Sequence, residues 1–451
     1  MYDPKIFKAY DIRGIYPKEI DEEVAYKIGQ GYAHYVQPQK PVAVGYDVRL
    51  HSQDLQKAVI QGLVDAGVDV WDIGLVSTEM YYFAVGNYHL GGGIMVTASH
   101  NPPEWHGAKM VREGCIPLSS DAGLSEIKEF IDSGEKVNAS NKGRVVVKDI
   151  LDDFCHYALS WINIRKIKPL KIVYNPNFGF EGMVLQRLVK ISGLPLELIP
   201  LNEKPDGSFP KGRPDPFRPE NRPETENLVK KTKADLGVAW DADADRVFFF
   251  SEQGEFIEPY FTNTLLIAKM LEKEKGGKII YDPRYTWALI EAAEKAKGKA
   301  ILERVGHSFI KARMRQEDAI FAGESSGHTY FRDFWYADSG ILPLLLILEI
   351  LSEKEKGFSA LLAPVMSRYF VTGEINFQTP KAKEIMESAA KKYQDGKISW
   401  FDGISVEYPQ WRFNLRASNT EPLLRLNLEA KSKKLMEEKK KEVMEFIQSN
   451  S

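Results

Sequence analysis

Three apolar runs in this chain end alike: "VAVGYD" on Tyr46-Asp47, "KIVYNP" on Tyr174-Asn175 and "KIIYDP" on Tyr281-Asp282. Each is followed by a stretch with helical periodicity, "SQDLQKAVIQGLVDAG", "GFEGMVLQRLVKISG" and "TWALIEAAEKAKG". Strand, short polar turn and amphipathic helix form the βα unit of a parallel sheet. At 451 residues the chain exceeds what one hydrophobic core organises, so the repetition predicts three related α/β domains with mixed, mainly parallel sheets. A second apolar run in each repeat ends in a polar loop: "GIMVTASHNP", "LGVAWDADADR" and "AIFAGESSGH". Ligands bind at the carboxyl ends of parallel strands, so these loops are expected to converge on one cleft. After Val365 the pattern changes to "YFVTGEINF", "WRFNLRASNT" and "LLRLNLEA" with a charged helix from about Lys431 to Gln448, which reads as a smaller C-terminal α+β domain. The expected boundaries are 1–143, 144–251, 252–364 and 365–451.

Composition narrows the function classes. Acids and bases are spread along the chain and sum to a net charge of −3, so nothing resembles a footprint for nucleic acid. Cys115 and Cys155 lie far apart, with no C-x-x-C and no histidine spacing for zinc, and read as core thiols of a reducing, cytoplasmic compartment. The N-terminus carries charges where a signal peptide needs an apolar stretch. The greasiest segment, "ILPLLLILEIL", falls short of the roughly 20 residues of a membrane span and predicts a buried helix.

In "DADADR" an extended backbone would place Asp241, Asp243 and Asp245 on one face, and crowding three carboxylates is unfavourable unless a cation neutralises them. All-oxygen ligands suit Mg²⁺. An EF-hand loop is the competing reading, but its sixth position needs Gly where Arg246 stands, and the strand-like "VFFF" follows. A plain acidic turn is the other alternative.

Ser99 in "TASHNP" either ends a strand as a turn residue or is a nucleophile. The setting is not G-x-S-x-G, and adjacent residues of an extended segment point to opposite faces, so His100 is not expected to serve Ser99 as base. A phosphorylated serine facing three aspartates across Mg²⁺ would be a phosphoryl donor. "RASNTEPLLR" offers Arg416, Ser418, Asn419, Thr420 and Arg425, two guanidinium forks and short donors suited to a phosphate dianion, or an ordinary polar turn. "GESSGH" offers Glu324, Ser326 and His328. A carboxylate there fits a pair of vicinal sugar hydroxyls, and a buried structural glutamate is the alternative.

"AYDIRG", "TASHNP", "DADADR", "GESSGH" and "RASNTEP" occur in the order and approximate spacing of the α-D-phosphohexomutases, and the chain is most similar to the phosphomannomutase/phosphoglucomutase group. The resemblance implies four domains around a central cleft and Mg²⁺-dependent interconversion of hexose 1-phosphates and 6-phosphates. It makes Ser99 the phosphoserine and a metal ligand with Asp241, Asp243 and Asp245. Glu324 and Ser326 become sugar readers, and the Arg416 to Arg425 loop holds the non-reacting phosphate. Tyr10, Arg13, His100, Lys109, Arg246, His307 and His328 are expected to line the cleft, with the general acid and base among Arg13, His100, Lys109 and His328. A hexose 1,6-bisphosphate is implied as intermediate and activator, turning end for end while a fourth domain hinged near Ser367 makes room. The partners implied are small sugar phosphates, with no nucleic acid, membrane or obligate protein partner. Trp105-His106 stands where relatives commonly have Tyr-Asn, and Arg284 where some carry a lysine toward the substrate phosphate. Phosphoglucosamine mutase is the runner-up, and a metal-dependent sugar-phosphate phosphatase remains open.

Overall fold

A computed structural model describes residues 3–418 and 422–451. They form two compact units, one running up to Ile257 together with Ser326–Phe358, the other comprising Glu258–Ser325 with Ser359–Ser451.

In the first unit, the strands Gly92–Val96, Val42–Tyr46, Val70–Leu75 and Val145–Val147 lie parallel in that order. Antiparallel strands Trp105–Arg112 and Ile12–Ile15 extend the same sheet beyond Gly92–Val96. The last parallel strand lies past the expected boundary at 143, and its valines are exposed at the sheet edge. Gly107 is required where two of these strands meet, since a Cβ there would stand 1.9 Å from the Ile12 carbonyl oxygen. That approach brings Asp11 and Arg13 beside the serine loop.

A second sheet sets Leu236–Trp240, Leu170–Asn175 and Leu196–Pro200 parallel, with Val247–Phe250 and Phe256–Ile257 antiparallel at one side. Each first apolar run is a strand followed by its expected helix, Ser52–Asp65 and Glu181–Ser192 here. The greasy segment is the helix Ile341–Lys354, buried from Ile341 through Ser352. Its start abuts the aspartate loop: Trp240 Nε1 donates to the Gly340 carbonyl at 3.0 Å, and a Cβ on Gly340 would stand 2.5 Å from the Ala244 carbonyl oxygen.

A buried carboxyl pair lies at the same helix start. One oxygen of Glu79 accepts from the Ser339 hydroxyl and from the amides of Gly340 at 3.0 Å and Ile341 at 3.2 Å. Glu79 Oε1 and both oxygens of Glu181 are buried without a hydrogen-bond partner among the described residues. Burial pushes Glu79 up to about 7, and burial with the neighbouring Glu79 charge holds Glu181 well above the usual carboxylate range. Both folded values exceed the unfolded one, so the pair's contribution to stability is full below about pH 4.5 and is lost as pH rises through 7. Glu181→Gln, which can donate to Glu79 without a charge, is therefore expected to raise the thermal midpoint at pH 8.5 by about 2 °C or more and to change it little at pH 5. Scanning calorimetry of both proteins across that range checks it; an equal shift at both pH values would refute the raised titration of the pair.

The second unit holds three parallel strands, Lys299–Leu302, Lys278–Tyr281 and Phe321–Gly323, with the third βα helix at Trp287–Lys295. Its C-terminal part is an antiparallel sheet centred on Trp411–Ala417 and Leu423–Ala430 and covered by helices Ala382–Lys392 and Lys433–Asn450. Leu424, Leu426 and Leu428 alternate into that core as a one-sided strand requires. The mixed α/β domains and the smaller C-terminal domain are thus as the sequence predicts. Among the described residues no helix is long and apolar enough to cross a membrane.

Candidate active site

The serine loop leaves the strand Gly92–Val96, and the aspartate loop leaves Leu236–Trp240. Ser99 is 1% exposed and sits in the left-handed region at φ 51°, its amide donating to Thr97 Oγ1 at 2.8 Å. Its hydroxyl donates to Asp241 Oδ2 at 3.0 Å and lies 3.1 Å from His100 Nδ1. The expectation that Ser99 and His100 point to opposite faces is therefore corrected. It assumed an extended backbone, and a positive φ turns the two side chains toward each other.

The aspartate segment likewise is a turn rather than a strand, with Ala244 at φ 59°, yet Asp241, Asp243 and Asp245 still bring carboxylate oxygens within 4.8 Å of one another. Strands on both sides exclude the EF-hand, which needs helices. All three residues are buried. Asp243 Oδ2 accepts from Thr78 Oγ1 at 2.7 Å and from Lys109 Nζ at 2.6 Å, and the Lys109 ammonium also pairs with Asp245. Burial and the charges of Asp245 and Asp243 push Asp241 well above the usual carboxylate range. Burial would lower Lys109, but Asp243 and Asp245 outweigh it and raise it. Asp243 Oδ1 and Asp245 Oδ1 are buried without a hydrogen-bond partner among the described residues, so a hard divalent ion fits this donor set.

Further side chains gather around this pair of loops. Arg13 is clamped by Asp11 at 2.8 Å and donates to Asn101 Oδ1 at 2.6 Å. His328 sets Nδ1 3.1 Å from both Asp338 Oδ2 and the Asp245 carbonyl, and its Nε2 accepts from Arg246 Nε at 3.0 Å, so the ring proton belongs on Nδ1. His100 is held well below the usual histidine range by burial and by Arg246, Arg13 and Arg213, which leaves it neutral. Tyr10 directly precedes Asp11, and Ser326 lies two residues before His328.

A second group of predicted residues lies in the other unit. Arg284 grips Asp282 at 2.9 and 2.8 Å and donates to Glu324 Oε2 at 3.1 Å, while the Ser325 amide donates to Asp282. Arg416 stands 3.8 Å from Glu374 and 3.9 Å from Asp402, and Arg425 stands 3.7 Å from Glu374 and donates to Ser418 Oγ at 3.3 Å. Arg416 Nε and Nη2 and Arg425 Nε are buried without hydrogen-bond partners among the described residues, donors that suit an anion. Burial and the charge of Arg284 lower Arg416. His307 opens the helix His307–Glu317, preceded by Val305, whose amide donates to Asp402. Asn419 and Thr420 lie outside the described residues. Behind the grip, Arg412 donates to the carbonyls of Pro283 at 2.9 Å and Arg284 at 3.2 Å and to Glu429 at 3.1 Å. Glu429 also accepts from the Thr286 amide at 2.8 Å.

Four segments of the chain match domains of known proteins. Residues 4–138, 152–254 and 260–369 match the alpha/beta/alpha domains I, II and III of phosphoglucomutase/phosphomannomutase, and 374–446 matches its C-terminal domain. The chain belongs to the phosphoglucomutase/phosphomannomutase family. It is 46% identical to a phosphomannomutase of Vibrio cholerae over 453 residues, covering 98% of each chain. It is 43% identical to the phosphohexose mutases of Xanthomonas campestris over 427 residues, covering 94% of this chain and 95% of that one. The crystal structure of a family protein from Burkholderia thailandensis superposes with a TM-score of 0.88 at 32% identity, covering 100% of this chain and 98% of that one. The chain is accordingly a phosphohexomutase, an isomerase of carbohydrate metabolism.

Sequence reasoning missed several partners of these residues: in the first unit Thr78 on Asp243, Asp338 on His328 and Arg49 behind the serine loop, and in the second Asp282 on Arg284 and Glu374 between two arginines. Only Asp282 carried a signal, at the end of a repeated strand.

Proposed function

We propose that this phosphohexomutase interconverts the 1- and 6-phosphates of mannose and glucose through a phosphoserine at Ser99. The observation that carries the reading is the Ser99 hydroxyl on Asp241 at 3.0 Å, within a buried cluster of three aspartates. Asp241, Asp243 and Asp245 would hold Mg²⁺ together with the phosphate on Ser99. The ion supplies charge neutralisation on the transferring group.

The sugar hydroxyl attacks phosphorus, the bond from phosphorus to Ser99 Oγ breaks, and a hexose 1,6-bisphosphate is formed; transfer of the other phosphoryl back to Ser99 Oγ regenerates the phosphoserine and leaves the isomeric monophosphate. The attacking hydroxyl gives up a proton and the departing Ser99 Oγ takes one up, at opposite ends of an in-line transfer; His100 Nδ1, 3.1 Å from Ser99 Oγ, stands on the serine's side. Arg13, Lys109 and His328 are placed by Asp11, the aspartates and Asp338 respectively to carry charge or protons beside it. Glu324 with Ser326 reads the sugar diol, and Arg416, Ser418, Asn419, Thr420 and Arg425 hold the non-reacting phosphate. Tyr10, Arg246, Arg284 and His307 complete the contacts. The two buried free thiols fit a cytoplasmic enzyme.

Exchanging C1 with C6 approximately exchanges the 3-hydroxyl with the 4-hydroxyl, so one diol reader serves both half-reactions. Mannose and glucose share that diol and differ at C2. The expected kcat/KM values for their 1-phosphates lie within about tenfold of each other, with glucosamine 1-phosphate poorer. Steady-state assays of the three, with inorganic phosphate measured in parallel, check this. Preference for glucosamine 1-phosphate would favour phosphoglucosamine mutase, and phosphate release in place of isomerised sugar would favour a phosphatase.

A further inference from the structure

The carbonyls of five consecutive residues around Ser99 each accept from a guanidinium. Arg13 donates to Ala98 at 3.5 Å, and Arg49 to Ser99 at 2.6 Å, Asn101 at 2.7 Å and Pro102 at 2.7 Å. Arg213 Nε donates to His100 at 2.8 Å. Arg13 and Arg49 come from the same domain as the serine loop, but Arg213 reaches it from a loop of the second α/β domain. That loop is built to hold Arg213 still. Asn221 Nδ2 donates to the carbonyls of both Arg213 and Asp215 at 2.9 Å, and the Asp215 carboxylate stands 3.8 Å from Arg213 Nε. Upstream, Arg49 and Gly207 form a β-bridge and the Arg49 guanidinium lies 5.0 Å from the centre of the Phe209 ring. The loop thus holds the serine loop directly through Arg213 and is fastened as well to Arg49, which holds the serine loop in turn.

We propose that Arg213 is a positioning residue for phosphoryl transfer: by holding the His100 carbonyl it fixes the peptide that joins Ser99 to His100. This rests on Ser99 being the phosphoryl carrier. The peptide deserves a dedicated anchor because Ser99 is in the left-handed region, which a serine enters only when its surroundings impose it. The 3.1 Å approach of His100 Nδ1 to Ser99 Oγ depends on that conformation. Releasing the His100 carbonyl lets the peptide relax toward an ordinary backbone and swings the imidazole away. Arg213 holds the His100 carbonyl through Nε, and its charge also helps keep the His100 ring neutral. Its side chain is about one-third exposed, 32%, so removal leaves no large cavity.

The experiment uses the full-length enzyme with the phosphorylated fraction of Ser99 measured by intact mass and rates expressed per phosphorylated molecule. Arg213→Gln is expected to lower kcat by about 30-fold with KM for hexose 1-phosphate within twofold, because misplacement of the reacting group affects the chemical step rather than binding. It is also expected to change the lifetime of the phosphoserine in buffer by at least about threefold, since the water and base facing it are no longer set. Arg213→Lys, which restores one donor, is expected to recover kcat to within about fivefold of the wild type. The proposal is overturned if Arg213→Gln retains kcat within twofold. It is equally overturned if both variants lose activity only in proportion to a lower thermal midpoint, with phosphoserine lifetime and KM unchanged. Absence of phosphate on Ser99 in active wild-type enzyme would instead overturn the phosphoserine reading beneath it.

Discussion

Ser99→Ala is expected to lower turnover by about 10⁴-fold or more while the thermal midpoint stays close to that of the wild type. The hydroxyl is the only group of residue 99 pointed at the aspartates, and no neighbour replaces it: the Thr97 hydroxyl is occupied by the Ser99 amide at 2.8 Å. The fold tolerates the change because alanine removes one oxygen, and the loop stays fastened through its carbonyls. The measurement pairs mutase kinetics with phosphopeptide mapping. Phosphate found only elsewhere, with Ser99→Ala turning over normally, would sink the mechanism.

Asp243→Asn is expected to lower kcat by about 10³-fold and to weaken Mg²⁺ binding by at least about tenfold. Asp243 is the aspartate with most to lose. One oxygen is already shared by Thr78 and Lys109, and the other is buried and without a hydrogen-bond partner among the described residues. An asparagine keeps the shape but removes the charge, leaving Lys109 to pair with Asp245 alone and directing an amide where an anionic ligand is needed. Calorimetric titration with Mg²⁺ and activity after exhaustive chelation of the wild type check the two halves separately. Full activity in the chelated wild type would show that the aspartates serve Lys109 and no ion.

The loops that carry chemistry were legible because they follow apolar runs short enough to be buried strands, and a parallel sheet places such loops at one end. Asp241, Asp243 and Asp245 converge as their alternation suggested, although through a turn. The geometry between Ser99 and His100 was illegible for a definite reason. Serine does not announce a positive φ as glycine does, so side-chain directions counted along an extended backbone come out reversed. Arg49 and Arg213 were out of reach because they meet the serine loop across 50 and 113 positions of chain, and nothing local distinguishes them from surface arginines. The strand Val145–Val147 escaped because three exposed valines at a sheet edge have no inside and outside to alternate.

The tie between the Arg284 and Arg416 segments has a mechanical consequence. Arg412 is 4% exposed and its partner Glu429 is fully buried, and together they fasten the strand that carries Arg416 to the backbone that carries Arg284. Pulling the two apart would strand a buried charge, a penalty of about 3–5 kcal/mol. A pivot at Ser367 that swung the C-terminal sheet by itself would have to break this rivet on every turnover. The strand that carries Arg416 and the backbone that carries Arg284 therefore behave as one stiff piece, moving together or not at all.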